Sequence, residues 1–260
     1  MSKTNFKSKA IKLPLDFNGL PPEHPFTGKD QKAPDAAALF VAPSTLGLHV
    51  DTTKTIGGQV EGLIDACADA VGQAFQQWQA GLKFAGVIIN GPVGMAIPGG
   101  LIGVPLSGLI QGPTAGKCAG KQPSFVQHAR AITNAIGTAM SAWQSTYMVT
   151  LTFPGGAICS TTMVPSPCTP MPVAAGSSPA GDAMLQPGAL KGLMLANHGK
   201  PGNHTLDIYD AVAQAFCTIF TQWKAATQIT GIMGAGGVAA VPPLPPTPVV
   251  MAIGNGGAVV

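Results

Sequence analysis

Apolar residues recur at three- and four-residue steps in three places along this chain, and each run closes on a tryptophan. In the first, Val60, Leu63, Ile64, Cys67, Val71, Ala74, Phe75, Trp78 and Leu82 share one face of a helix expected over about 58–83. Glu61, Asp65, Asp69, Gln73, Gln76 and Gln77 fall largely on the other. The second helix, expected over about 124–145, carries Val126, Ala129, Ile132, Ala135, Ile136, Ala139, Met140 and Trp143 behind Pro123, with Ser124 read as its N-cap. The third, about 206–226, carries Tyr209, Val212, Ala215, Phe216, Ile219, Phe220 and Trp223, with Thr205 or Asp207 as the cap.

Aligned on the tryptophan, the three runs agree position by position. Twelve residues before it stand Ala66, Ala131 and Ala211; eight before, Ala70, Ala135 and Ala215; seven before, Val71, Ile136 and Phe216; three before, Phe75, Met140 and Phe220. Trp78, Trp143 and Trp223 are the only tryptophans, so the agreement reads as an internal repeat. Its recurring residues are packing residues. Small Ala allows close approach between helices and the Trp closes one end, whereas an aromatic cage or stacking platform would need exposed rings.

Behind each tryptophan the period changes from helical to extended. Phe84–Ile89, Tyr147–Phe153 and Gln228–Met233 read as strands, each followed by a Gly-rich turn and a second apolar run, at Val93–Ile97, Ala157–Val164 and Val238–Val241. The expected fold is therefore α+β: three repeats, about 57–97, 124–164 and 205–241, of a long amphipathic helix followed by a β-hairpin. Segments 98–122 and 165–204 read as long Gly- and Pro-rich loops. Residues 1–55, rich in Pro and Lys, read as an extended N-terminal arm ahead of a 56–260 body, free to bind its own body or a neighbour.

Composition adds one strong constraint. Charged residues make up only 10% of the 260-residue chain, and more than half of them precede residue 66. Three stretches, 84–116, 131–181 and 225–260, hold none, and each covers the segment that follows a Trp helix. A monomer keeps itself soluble with abundant surface charge, so the expectation is that much of this surface is covered by other subunits. The 46% hydrophobic content supplies burial enough to order a chain holding 34 Gly and 24 Pro. Prolines at 92, 98 and 105, and five between 242 and 248, break the charge-free stretches as membrane-spanning helices. Contact between a membrane and an assembled particle stays as a minor alternative. The net charge of +3 comes largely from Lys3, Lys7, Lys9 and Lys12, read as a solvated tail, and no nucleic-acid partner is expected.

Reactive groups are sparse. Cys67, Cys118, Cys159, Cys168 and Cys217 are odd in number and lack paired spacing, which argues against a disulfide framework. His198 and His204 are the only close histidine pair, and with Cys159 and Cys168 they are the weak candidates for a metal; neither spacing matches the usual ligand pairs. Gly112–Cys118 resembles a phosphate loop only superficially: three residues separate Gly112 from Gly116-Lys117, Cys118 stands where a Ser or Thr is needed, and Pro123 argues against a helix starting there. No G-x-S-x-G is present, and beyond residue 69 the only carboxylates are Asp182, Asp207 and Asp210. Asp207 and Asp210 suit the first turn of the third helix, where acids meet the helix dipole favourably.

These observations lead to the expectation of a non-catalytic structural subunit of a large assembly, in the class of phage-tail-like, capsid-associated or injection-machine particles. It would need no cofactor, and its partners would be copies of itself and other subunits. A membrane-active or apolar-ligand-binding protein is the alternative. The start of the chain, Met1–Lys12, lacks the apolar run of a secretory signal, so synthesis in the cytoplasm and incorporation into a particle is the expected course.

Overall fold

The structure is a computed structural model that describes residues 43–153, 158–159, 166–167, 169–202, 205–235, 247–248 and 252–260. Three long helices carry the Trp runs: α1 (Pro43–Gly81), α4 (Pro123–Thr146) and α7 (Thr205–Ala226). Between α1 and α4 lie strands β1 (Lys83–Asn90), β2 (Val93–Ala96) and β3 (Leu101–Ile102) and helices α2 (Leu106–Leu109) and α3 (Gln111–Cys118). Between α4 and α7 come β4 (Val149–Thr152), β5 (Ile158–Cys159), β6 (Ser166–Pro167), β7 (Met171–Pro172), α5 (Pro179–Met184) and α6 (Pro187–His198). After α7 follow β8 (Gln228–Ala235), β9 (Thr247–Pro248) and β10 (Ala252–Val259).

The fold class is α+β as expected, but three differences concern its elements. Helix α1 begins at Pro43 rather than near Gly58, so residues 43–55 of the expected arm are helical; residues 1–42 lie outside the described residues. The two presumed loops hold α2, α3, α5 and α6. Pro123 does not exclude helix at 111–118, because a turn at Ala119 and Gly120, with Gly120 at φ 70°, separates α3 from α4. Ser124 is not the cap of α4: the helix starts one residue earlier, with Pro123 in its first turn and Gln122 at the cap position.

The threefold helix-hairpin repeat is not what the strands form. Among the described residues, only the first hairpin pairs as expected, β1 with β2, with Asn90 opposite Val93. Its two-residue loop places Gly91 at φ 60° before Pro92, whose ring holds φ negative, and that combination selects a type II′ turn. Strand β4 pairs with β2, and β5 pairs with β9. Strand β8 pairs with β10, while the expected second arm at Val238–Val241 lies outside the described residues. The physical reason is that a period-two pattern marks a chain segment as extended without choosing its partner; the neighbouring helix ends decide which strands come within bonding distance.

The resulting antiparallel sheet runs β4-β2-β1-β10-β8-β6, with β3 also on β1 and β7 also on β8. It curls into a nearly closed barrel. Residues 169–177, which include β7 on β8, also reach the other edge of the sheet: Thr169 N–H donates to Thr152 O of β4 at 3.0 Å, and Met148 and Ser177 exchange bonds of 2.8 and 2.9 Å. A bulge between Phe84 and Val87, with Gly86 at φ 66°, adds bend to β1. Alternation sends Phe84, Val87, Ile89, Val149 and Leu151 inward, where they join the inner faces of α1, α4 and α7 in one core.

Candidate functional site

The three repeated tryptophans meet. Their ring centroids lie 6.1 Å apart for Trp78 and Trp143, 5.6 Å for Trp78 and Trp223, and 5.9 Å for Trp143 and Trp223. Phe75 stands edge-on to Trp223 at 5.2 Å, and Phe220 edge-on to Trp143 at 5.4 Å, both favourable to the ring quadrupoles. Met140, Ala66, Ala131 and Ala211 are buried along the same helix faces. Trp78 and Trp143 are each 1% exposed, so neither offers a ring face to a ligand.

A buried indole must still place its N–H, and the three do so in related ways. Trp78 Nε1 donates to Gln144 Oε1 at 2.8 Å, and Trp223 Nε1 to Gln79 Oε1 at 3.1 Å. Gln79 and Gln144 each directly follow a repeat tryptophan. The residue following Trp223 is Lys224, which has no acceptor; Trp143 Nε1 donates instead to Asp182 Oδ1 at 3.2 Å, and Lys224 Nζ grips that same oxygen at 2.9 Å. Asp182 also caps α5 by accepting from Ser178 N–H at 3.0 Å. The arrangement is a locked packing centre with no group free to react.

A second feature is the outward face of the barrel. Met95, Ile88 and Ile253 stand side by side across β2, β1 and β10, at 53%, 49% and 57% exposure. Val93 and Ile97 extend the row along β2, and Ile102 and Val104 continue it along β3 and just beyond. Lys83, at the start of β1, is the only charged residue in these four strands. Beside Met95 a groove of about 240 Å³ opens between β2 and β4, floored by Ala96, Val149 and Ala175.

The third feature is a histidine-tyrosine cluster. His128 on α4 and His198 at the end of α6 stack with centroids 4.4 Å apart, and Tyr209 on α7 lies edge-on to both at 5.7 and 5.9 Å. Nδ1 of His128 and the Tyr209 hydroxyl are 3.0 Å apart. Burial, then the neighbouring Cys67, pushes the Tyr209 hydroxyl above its ordinary range, so it keeps its proton. Either partner can donate in the bond at His128 Nδ1, according to the imidazole tautomer. Burial, then His198, lowers the His128 pKa from 6.5, leaving the ring neutral at neutral pH. His198 is 8% exposed and its Nδ1 has no hydrogen-bond partner among the described residues, while its carbonyl accepts from Gln127 Nε2 at 2.8 Å. His128 also forms part of the wall of an open cleft of about 510 Å³ between α1 and residues 120–128.

Of the weak metal candidates, only the His198 side chain lies among the described residues. His198 pairs with His128, which the sequence reading passed over; His204 and Cys168 lie outside the described residues, as does the side chain of Cys159. No cluster of three metal-binding side chains occurs among the described residues. Lys117, from the loop resembling a phosphate cradle, pairs with Asp69 on α1 at 2.9 Å, which ties α3 to α1. Asp210 pairs with Lys191 at 3.3 Å. Cys67, Cys118 and Cys217 are buried free thiols; burial raises all three, Cys217 to about 12. Among the described residues no helix is long and apolar enough to cross a membrane.

The signals for the missed residues were present but local. Alternation in Val93, Gly94, Met95 and Ala96 marks the outward side chains once the inner face is known. Nothing in the spacing of His128, His198 and Tyr209 foretells their contact, because three different helices supply them. No protein-family model matches the chain, and neither does any curated protein or solved structure.

Proposed function

We propose that this protein is a non-catalytic structural subunit of a large assembly, of the phage-tail-like, capsid-associated or injection-machine kind, built by contacts between copies through the outer face of the barrel. The observation that carries this reading is the row of Met95, Ile88 and Ile253 with its extensions along β2 and β3, where Lys83, opposite Ile102, is the single charge. At their exposures these side chains offer on the order of 600 Å² of apolar surface, near the ~800 Å² per partner of a standard interface. Exposed apolar patches of that size on a folded protein mark contact surfaces. The packing centre supports the same reading: each polar group around the tryptophans is engaged in holding the helices together, as a rigid building block requires. In this proposal the recurring unit is a Trp helix and the strand that follows it, three times over, delivering strands to one barrel.

The test is mass and shape in detergent-free buffer, by light scattering after size exclusion with negative-stain microscopy, on the wild type and on Ile88→Lys/Met95→Lys. A closed multimer that the double substitution reduces to a folded monomer supports the proposal; a monodisperse wild-type monomer refutes it. The same apolar face favours one second reading, adsorption to a lipid surface. Sedimentation of the wild type with liposomes, lost in the double variant, would transfer the face to that role.

A further inference from the structure

We propose that the cleft between α1 and residues 120–128 is a binding site for a small amphiphilic carboxylate, a medium-chain alkanoate being the simplest member of the class. None of the residues lining it belongs to the sheet, so the inference stands apart from the assembly reading.

Three observations define the ligand. At about 510 Å³ the cleft has the size of small-molecule sites. Its apolar walls are Val60 and Leu63 of α1, Phe125 of α4 and Ile208 of α7, and on the α1 side Gly58 and Gly62 leave open space where a Cβ would meet nothing within 4 Å. These surfaces suit an alkyl body. The polar groups select the head. Lys121 lies at the cleft with its ammonium 5.6 Å from the centroid of the Phe125 ring, and it has no ion pair among the described residues. No Asp or Glu lines the cleft among the described residues. His128 adds a ring that is neutral at neutral pH and is held at Nδ1 by the Tyr209 hydroxyl.

A carboxylate meets this set with its charge opposite Lys121, whose ammonium donates the short, charge-assisted hydrogen bonds such a head accepts. An ammonium head would bring like charge to Lys121 with no acid to balance it. An alcohol would fill the apolar walls and leave Lys121 unneutralised. The ring of His198, 4.4 Å from that of His128, and the hydroxyl of Tyr209 hold the His128 plane, so the ring is positioned before a ligand arrives.

The experiment is isothermal titration of the full chain near neutral pH with octanoate, 1-octanol and octylammonium, with amide hydrogen exchange locating the bound probe. Lys121 is exposed, so Lys121→Gln leaves the fold intact and Lys121→Arg keeps the charge. The expected result is saturable one-site binding of octanoate, exchange protection confined to about 55–63 and 120–128, and loss of about tenfold in affinity in Lys121→Gln with retention in Lys121→Arg. Absence of saturable octanoate binding overturns the proposal. So does equal binding of 1-octanol or octylammonium, an unchanged affinity in Lys121→Gln, or protection that maps to the sheet.

Discussion

Replacing Gln144 by Met tests whether the tryptophan centre holds the fold together. The side chain is 6% exposed and makes one link between helices and one from helix to loop: it accepts from Trp78 Nε1 of α1 at 2.8 Å and donates to Gly103 O at 3.0 Å. Methionine has a similar length and volume, so the substitution removes the polar atoms without opening a large cavity. It leaves the indole N–H of a 1%-exposed tryptophan without an acceptor, at a cost of about 1–3 kcal/mol, and a partly buried carbonyl without a donor, at up to about 1 kcal/mol more. The expected loss is about 1–4 kcal/mol, which lowers Tm by roughly 2–15 °C in a chain of this size. Urea unfolding followed by tryptophan fluorescence measures it. In a Trp78→Phe background the donor is already gone, so Gln144→Met should then cost about 1–2 kcal/mol less than in the wild type. A single-mutant loss within about 0.5 kcal/mol of zero, or strict additivity in the cycle, would refute the claim that this bond is a buried determinant of stability.

Gly181 on α5 lies so close to α4 that a Cβ there would clash with Trp143 Cα, so Gly181→Ala should cost at least about 1–3 kcal/mol by overpacking against backbone. Gly192, exposed within α6 with nothing within 4 Å of a Cβ, is the control: Gly192→Ala should stabilise by about 0.5–1 kcal/mol in the same unfolding assay. His128 titrates below its ordinary 6.5 in the folded chain, so the unfolded chain binds protons more readily; its contribution is full above about 6.5 and is lost as pH falls through the lower folded value. Melting curves should show stability falling as pH drops below that point, with a shallower fall in His128→Asn; an identical slope in the two proteins would contradict the buried, neutral assignment. Native-state alkylation followed by peptide mass spectrometry should find Cys67 and Cys217 modified only as fast as the protein unfolds, since burial keeps both as thiols.

The sequence alone determined the three Trp helices almost to the residue at 124–145 and 206–226, because a long amphipathic stripe ending in a bulky aromatic has one low-energy conformation in water: a helix with that stripe buried. It also located β1, β2, β4 and β8 as extended, and showed that charge is withdrawn from the strands. Helices α5 and α6 were legible in hindsight through Pro179 and Pro187 in their first turns and Gly199 at φ 80° behind the last turn of α6, but Gly- and Pro-rich surroundings outweighed those cues. Strand partners were decided only in three dimensions. β4 joins β2 and β10 joins β8 because the barrel closes around the ends of the helices, and hydrogen bonding along a strand edge accepts any suitably placed backbone. Likewise, the meeting of Gln144 with Trp78, of His128 with His198 and Tyr209, and of Met95 with Ile88 and Ile253 joins residues from separate elements. Local patterns report which face of an element is buried; which residues stand opposite one another depends on how the elements cross, and that is settled by packing the whole core at once.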